Sequence, residues 1–272
     1  MARAFSVASW NVEHMQSRDP RNAARMAFLA QHKPDVLALY EVEGKEVWRE
    51  VMDAFPKYSF FITEGQNTQE ILVGIGPRVT GFLTQKIEFQ GRDSFMRPGA
   101  FLTVRAGGTD YSLLFLHLAS MTDARGFGLR ADMIDRALRF KSLLDQAAGR
   151  PANFMFLGDL NQMGLDFVHG KAAGRLQRVQ VTADVELSRL RHEAAAIGMR
   201  VLPKTRTETW RDLRRTSDLD WVVAADQLQF RRFTGGGEVD VRGWPALPAA
   251  EQVQWTKDFS DHGLLYFEVQ AI

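Results

Sequence analysis

The sequence predicts an α/β protein, because short apolar runs rich in β-branched and aromatic residues alternate with helical patterns along the chain. The composition, with 45% hydrophobic and 25% charged residues, is that of a folded globular protein and excludes a disordered or collagen-like chain. No fixed-period repeat and no interdomain linker is recognisable. We therefore expect the 272 residues to form one or two compact domains.

Strands are predicted where five to seven mostly apolar residues lie between polar or turn-forming residues. Runs of this length and composition suit strands that are buried in a sheet. Nine such runs occur, at residues 5–10, 36–40, 71–75, 101–105, 111–117, 153–157, 219–224, 228–233 and 264–269.

Helices are predicted where apolar residues recur every three or four positions. This spacing marks residues 22–32, 45–55, 129–148 and 184–197. Gly149 and Pro151 provide a stop signal for the third helix, and Gly198 is expected to form the left-handed cap of the fourth. Residues 162–183 and 234–257 are irregular; long loops of this kind are often functional, with surface decoration as the alternative.

The absence of cysteine narrows the chemistry that the chain can perform. Disulfides, thiolate metal sites and cysteine nucleophiles are all excluded, so a metal ion would have to bind Asp, Glu, Asn or His side chains. The formal net charge of +1 is smaller than the basic excess typical of a non-specific nucleic-acid binder. The charge therefore argues weakly against that class of protein.

The chain contains no run of about 18 apolar residues, so no membrane span is expected. Its N-terminal segment, MARAFSVASW, lacks the long apolar region and cleavage site of a signal peptide and continues directly into a strand pattern. These features favour a cytoplasmic enzyme. No feature indicates an obligate protein partner.

Polar side chains cluster at the ends of the predicted core strands. A single residue of this kind is usually a turn or capping residue, but strand ends in α/β folds are also where sites are built. Six groups at strand ends are harder to attribute to turns alone. They are Asn11 with Glu13, Glu41, His117, Asp159 with Asn161, Asp220, and Asp261 with His262.

The residue types in this set match one kind of metal chemistry. Carboxylate and amide oxygens are the ligands that Mg²⁺ prefers, and the set holds both. His117 and His262 are available for proton transfer or charge stabilisation. In a chain without cysteine, this combination indicates a metal-assisted phosphoester hydrolase.

The order of these residues resembles the endonuclease/exonuclease/phosphatase superfamily, which has the DNase-I-like fold. The resemblance rests on Trp10-Asn11, Glu41, His117-Leu118, Gly158-Asp159-Leu160-Asn161, Asp220 and Ser260-Asp261-His262. It implies a four-layer α/β (α+β) sandwich, in which two packed mixed β-sheets are flanked by helices and the site lies at one end of the sheets. Because the site draws on both ends of the chain, we expect one domain spanning residues 1–272.

The resemblance also implies a cofactor and its ligands. Glu41 would be the principal ligand of Mg²⁺, for which Mn²⁺ can substitute, and Asn11 and Asp261 would lie close to the ion. Glu13 is expected beside these ligands, with a solvated loop glutamate as the alternative. Tyr40 departs from the family pattern, which commonly has Gln before the metal-binding glutamate, and so changes a neighbour of the ion.

The implied catalytic roles fall on five residues. Asp159 would orient or deprotonate the attacking water, and Asn161 would hold water or a phosphate oxygen. His262 would be the catalytic histidine, and His117 would donate to the phosphate or assist the leaving group. Asp220 would orient His262, because a carboxylate partner fixes the tautomer of a histidine and raises its pKa.

Substrate contacts are expected from a segment that resembles the Thr-Trp segment beside the substrate in some family members. It begins at Thr205 and places Trp210 at the cleft, with a core tryptophan as the alternative. Its arginines would form a basic rim, although a solvated cluster is the simpler interpretation. This rim comprises Arg206, Arg211, Arg214 and Arg215. Trp244 is expected to offer an aromatic surface from the loop at 234–257.

A phosphate ester is therefore the expected substrate, and nucleic acid ranks first among the classes that the superfamily cleaves. The alternative is a small phosphorylated metabolite or lipid headgroup, which the near-zero net charge favours. A non-catalytic binding module on the same fold would have lost part of the catalytic set, which is complete here. An unrelated metal hydrolase would need clustered histidines, whereas the six histidines are scattered.

Overall fold

The computed structural model describes residues 2–44, 46–65, 69–90, 97–172 and 174–272. Within these ranges the chain forms five α-helices: α1 (Asn22–Gln31), α2 (Val47–Ala54), α3 (Ala124–Ala148), α4 (Ala183–Ala195) and α5 (Ala249–Asp258). The same ranges contain sixteen strands: β1 (Arg3–Gln16), β2 (Val36–Glu43), β3 (Ser59–Ile62), β4 (Gln69–Ile75), β5 (Thr80–Lys86), β6 (Gly99–Ala106), β7 (Thr109–His117), β8 (Phe154–Asp159), β9 (Leu165–Ala172), β10 (Arg175–Val181), β11 (Met199–Val201), β12 (Trp210–Arg211), β13 (Thr216–Ser217), β14 (Asp220–Ala225), β15 (Asp240–Arg242) and β16 (Leu264–Gln270).

Two six-stranded mixed sheets form the centre of the fold. The first has the strand order β15-β16-β1-β2-β4-β3, and the second has the order β11-β14-β8-β7-β6-β5. One neighbouring pair in each sheet is parallel, β1 with β2 and β7 with β8, and the other pairs are antiparallel. Two further pairs of strands, β9 with β10 and β12 with β13, stand outside these sheets.

The sheets pack face to face and helices cover their outer faces. In β8, Met155 and Leu157 belong to the core between the sheets, whereas Phe154 and Phe156 pack outward beneath α3 and α4. Helices α1, α2 and α5 cover the first sheet in the same way. Burial on both faces explains why these strands are continuous apolar runs. The predicted four-layer α/β sandwich is confirmed.

The predicted helices are all present, with shifted ends. Helix α3 begins five residues earlier than predicted, because the Asp123 side chain caps it by accepting a hydrogen bond from the Gly126 N–H at 2.7 Å. Gly149 caps the end of α3 in the left-handed conformation, as expected. Helix α4 ends at Ala195, so Gly198 is left-handed but lies beyond the cap. Lys45, at the predicted start of the second helix, lies outside the described residues.

The structure differs from the sequence-based prediction in four places. Residues 228–233 do not form a strand, because the contact with the sheet is a single bridge between Phe230 and Val269. The irregular stretch at 162–183 contains the hairpin of β9 and β10, and the stretch at 234–257 contains β15 and most of α5. The first two strands run past their predicted ends, to Gln16 and Glu43.

Among the described residues, no helix is long and apolar enough to cross a membrane.

Candidate active site

The second sheet brings three of the predicted site residues into one row. His117 at the end of β7 is the register partner of Asp159 at the end of the parallel strand β8. Asp220 opens β14 and pairs with Asp159 from the other side. All three side chains are buried. Strand pairing therefore fixes their mutual positions.

The first sheet supplies Asn11 and Glu41. The sequence-based prediction placed them just after the ends of their strands, whereas they lie within β1 and β2. The pairing of these strands shifts after Asn11, where β1 contains extra residues relative to β2. Glu13 and Glu41 adopt positive φ angles of 50° and 61° at this irregularity. Bulges re-aim side chains, and left-handed backbone at a residue other than glycine costs about 1–3 kcal/mol. The irregularity in β1 and β2 therefore lies at the residues that these strands contribute to the site.

Asn11 links the carboxylates of the two sheets. Its Nδ2 atom donates to Glu41 Oε1 and to Asp159 Oδ2, both at 3.0 Å. Its Oδ1 atom accepts the Glu13 N–H at 3.0 Å. In this geometry Asn11 positions two carboxylates, and direct binding of a cation through Oδ1 would require its amide to turn around.

His262 forms a buried ion pair with Asp220. Its Nδ1 atom donates to Asp220 Oδ2 at 2.8 Å, and its Nε2 atom lies 3.8 Å from Asp159 Oδ2. Burial alone would lower the pKa of His262, but the carboxylates of Asp220 and Asp159 raise it well above its ordinary value. Trp10 Nε1 donates to the His262 carbonyl at 2.9 Å. The imidazole is therefore held in place and positively charged.

Asp159 lies between His262 and the acidic groups of the first sheet. Burial, together with the Asp220 and Glu41 carboxylates, raises its pKa to about 7, against the opposing effect of His262. The Asn161 N–H donates to Asp159 Oδ1 at 3.3 Å, and Asn161 Nδ2 donates to the Leu118 carbonyl at 3.0 Å. Asp159 is thus a carboxylate poised to accept a proton near neutral pH.

His117 is a neutral counterpart to His262. Its Nε2 atom lies 3.6 Å from Glu41 Oε1 and 3.5 Å from Asp159 Oδ2. Burial, followed by the positive charge of Arg97, keeps its pKa well below the ordinary value. The edge of the Tyr40 ring packs against it, with 6.3 Å between centroids, and the Tyr40 hydroxyl lies 3.0 Å from Ser9 Oγ. Tyr40 therefore supports His117 from within the core.

Asp261 completes the acidic side of the site. Trp210 Nε1 donates to Asp261 Oδ2 at 2.7 Å, while Asp261 Oδ1 is buried without a hydrogen-bond partner. Burial raises the pKa of this carboxyl, and so do the negative charges of Glu41 and Asp220. An unpaired buried carboxylate oxygen is costly unless a donor or a cation meets it.

The donor set fits a metal ion. Ligand atoms of Glu41, His117 and Asp159 lie within 4.8 Å of one another, and the same holds for Asp159, Asp220 and His262. Most of these ligand atoms are carboxylate oxygens. The Oδ1 atom of Asp261 is buried without a hydrogen-bond partner, and a bound cation would satisfy it. With His262 protonated and paired with Asp220, the carboxylates of Glu41, Asp159 and Asp261 are the groups that could hold a cation between the two sheets.

A cleft of about 330 Å³ gives access to these groups. Glu13 and Trp210 line it, as expected, and Glu13 also pairs with Arg21 at 2.7 Å. Several lining residues were not predicted, or were predicted only as a rim: His14, Ser120, Met163, Arg215 and Leu219. Ser120 and Met163 follow His117 and Asn161 by two or three positions, so closeness to the motifs is the signal that could have found them.

Three predicted substrate contacts are not brought to the cleft. Trp244 is only 1% exposed, and its Nε1 atom donates to the Asp261 carbonyl at 3.1 Å from behind the site. Arg211 lies over the Trp244 ring and donates to Gln252. Arg206 contacts the Val241 carbonyl at 3.5 Å. Trp244 and Arg211 pack within the fold, whereas Arg206 is exposed, and none of the three lines the cleft.

Arg97 is a charged neighbour of the site that the sequence did not reveal. Its positive charge acts on Glu41, Asp159 and His117, and burial lowers its own pKa. Its Nε atom is buried without a partner. No motif or periodicity marks this arginine, which lies two residues before β6.

No family model and no curated protein matches this chain. Solved structures do match it over nearly the whole length. A D. rerio TDP2 complexed with single-strand DNA product is 15% identical, with a TM-score of 0.65 over 98% of this chain and 99% of that one. An endonuclease/exonuclease/phosphatase from Bacteroides vulgatus is 11% identical, with a TM-score of 0.63 over 98% and 99%.

The catalytic domain of human Nocturnin, with bound sulfate, is 13% identical, with a TM-score of 0.61 over 99% of this chain and 95% of that one. At such low identity the likeness is informative about the fold. It agrees with the two mixed sheets and their flanking helices. The chain therefore has the DNase-I-like fold of the endonuclease/exonuclease/phosphatase structures.

Proposed function

We propose that this protein is a hydrolase of phosphate esters that depends on Mg²⁺, for which Mn²⁺ substitutes, and that nucleic acid is its first-ranked substrate. The observation that carries the proposal is the meeting of a buried His262–Asp220 ion pair with Asp159 and the acidic residues of the first sheet. Since both sheets contribute, we also propose that residues 1–272 act as one domain.

The roles of the residues follow from their charge and position. Glu41 and Asp261 would hold the cation, which when bound supplies Lewis-acid polarisation of a phosphate oxygen. Asp159 would accept a proton from the attacking water. The positively charged His262 would stabilise the negative charge that builds up on the phosphorus group, and the neutral His117 would donate an N–H to a phosphate oxygen.

Two observations bear on the substrate class. The D. rerio structure holds a single-strand DNA product, which supports a nucleic acid for this chain. The formal net charge of only +1 supports the alternative, a small phosphorylated metabolite or lipid headgroup. Phosphate release or strand cleavage, measured across oligonucleotides, nucleotides, inositol phosphates and phospholipids, distinguishes the two classes.

The proposed chemistry is tested with bis(p-nitrophenyl) phosphate and a single-stranded oligonucleotide. We expect hydrolysis with Mg²⁺ or Mn²⁺ and none with EDTA. His262→Ala and Asp159→Ala should each lower kcat by about 10²-fold or more, the effect of losing a charge-stabilising group or a general base. His192→Ala, which changes an exposed histidine on α4, is the control and should keep full activity. Full activity in both site variants would refute the proposal.

A further inference from the structure

A second cavity, of about 300 Å³, opens beside the catalytic cleft. The two share Met163, Arg215 and Leu219 in their walls. A substrate whose phosphate lies in the cleft can therefore extend into the side cavity. The volume is at the lower end of the roughly 300–1,000 Å³ that is usual for small-ligand sites.

The lining of the cavity favours a neutral, partly apolar group over a second phosphate. Met163, Leu187 and Trp221 provide apolar walls. The carboxylate of Asp184 also lines it and would repel a phosphate, whereas the Asp218 carboxylate in the same lining is paired with Lys204. Asp184 lies in the first turn of α4, where its charge offsets the positive end of the helix.

Gln162 is one of the lining residues and carries an unmet hydrogen-bond acceptor. The side chain is only 2% exposed, and its Nε2 atom donates to the Leu160 carbonyl at 3.1 Å. Its Oε1 atom is buried and has no partner. Leaving such an acceptor unpaired destabilises the fold, and a ligand N–H donor would satisfy it.

Arg215 stands where the cavity and the cleft join. Its guanidinium lies 5.4 Å from the centre of the Trp210 ring, and Trp210 in turn donates to Asp261. Asp212 pairs with Arg215 at 3.4 Å, and the arginine side chain remains 68% exposed. A positive charge at this junction suits a substrate that carries a phosphodiester between the two compartments.

We propose that this side cavity binds a nucleobase of a single-stranded nucleic acid, with a base N–H group donating to Gln162 Oε1. A base is flat, neutral and partly apolar, and every base carries an N–H donor. It can therefore pack against the apolar walls and donate a hydrogen bond to the unpaired acceptor. This inference rests on the proposed nuclease function and gives it a base-binding subsite. A second phosphate, as in an inositol polyphosphate, would meet the Asp184 carboxylate instead.

The test measures binding of short fluorescent single-stranded DNA in EDTA, which prevents the proposed hydrolysis. Oligonucleotides with all bases are compared with oligonucleotides that carry one abasic residue at successive positions. At one position we expect the abasic residue to weaken binding about tenfold, because the contact of one base with the cavity is lost. Gln162→Leu should reduce that preference, whereas Gln180→Leu, on the exposed face of β10, should retain it.

Ala183→Phe provides a second variant, since it narrows the cavity from its exposed rim and leaves the buried Gln162 intact. It should also remove the preference for the intact strand. The inference is overturned if wild-type protein binds every abasic strand as tightly as the intact one, or if both variants keep the wild-type preference. Hydrolysis of bis(p-nitrophenyl) phosphate by the wild type, measured separately, reports on the proposed function alone.

Discussion

Two buried histidines approach Asp159, His117 from the end of β7 and His262 from the segment before β16, and they adopt opposite charge states. His262 gains two carboxylate neighbours, Asp220 and Asp159, which outweigh the cost of burying a positive charge. His117 lies on the side of Arg97, where burial and a like charge act together to keep it neutral. One cleft therefore offers both a fixed positive charge and a neutral N–H donor, the two functions that phosphate chemistry requires.

His32 gives a residue-scale prediction away from the site. Its Nδ1 atom accepts from Arg242 at 2.9 Å and its ring packs against Phe28. Burial, followed by the charge of Arg242, lowers its pKa from 6.5 to about 4. Between pH 6.5 and pH 4, His32 is therefore protonated in the unfolded chain and neutral in the folded chain. The free energy of unfolding should fall as the pH drops through this range. Because the ring is partly exposed, we expect about 1–2 kcal/mol.

The measurement is urea unfolding of the wild type and His32→Gln at pH 7 and pH 4.5. The variant should lose less stability than the wild type between these two values. His192→Gln, at an exposed position, is the matched control and should follow the wild type. Equal losses in the wild type and His32→Gln would contradict the assignment.

Residue-scale prediction from the sequence succeeds where chemistry and strand position coincide. Asp159 and Asp220 could be placed together because each adjoins a recognisable core strand. The pairing of β14 with β8 then brings the two residues side by side. Trp244 and Arg211 could not be placed, because their residue types suit a cleft and a core equally well. Arg97 reaches the site through tertiary packing, for which its local sequence carries no signal.

At the scale of elements, a buried ion pair holds α3 and α4 together. Arg130 Nε donates to Glu186 Oε1 at 2.8 Å, and Arg130 also donates to the Gly164 carbonyl at 2.6 Å. Glu186 in turn accepts the Gly164 N–H at 2.7 Å. Both side chains are buried. This network fixes the base of the β9–β10 hairpin against the two helices.

Replacing Arg130 with Met should leave the Glu186 carboxylate buried without its partner. We expect the free energy of unfolding in urea to fall by about 3–5 kcal/mol, the usual cost of breaking one half of a buried pair. Arg189→Met breaks an exposed pair with Glu193 on the same helix and should change stability by no more than about 0.5 kcal/mol. Similar losses in the two variants would show that the network contributes no more than a surface pair.

Elements that lack an apolar pattern were the ones that sequence reasoning missed. The β9–β10 hairpin is exposed along most of its length, so no buried face imposes alternation on its sequence. Helix α5 buries only Trp255, and its short length gives little periodicity to detect. Residues 228–233 carry an apolar pattern because Leu228 and Phe230 fill the core between the sheets, although the segment makes only one bridge. Burial and strand pairing are separate requirements, and a sequence pattern reports the first.

At the scale of the whole molecule, the candidate site exists only when the two sheets are packed together. Asn11 on β1 bonds Asp159 on β8, and Trp10 holds the backbone of His262 across more than 250 residues of chain. The buried Asp159 and Asp220 meet the partly exposed Glu41 and Asp261 there. Binding of a cation should therefore stabilise the folded chain as a whole, because the unfolded chain does not keep these ligands together.

We expect Mg²⁺ to raise the free energy of unfolding by about 2.7 kcal/mol at a concentration one hundred times its Kd. Glu41→Gln removes a proposed ligand and one of the repelling charges, so this increment should vanish while the metal-free protein stays at least as stable as the wild type. Glu251→Gln, on the exposed side of α5, is the matched control and should keep the full increment. Urea unfolding with MgCl₂, and with NaCl at equal ionic strength, separates specific binding from screening of surface charge. If Glu41→Gln gains as much from Mg²⁺ as the wild type, the cation binds elsewhere and the two sheets do not share it.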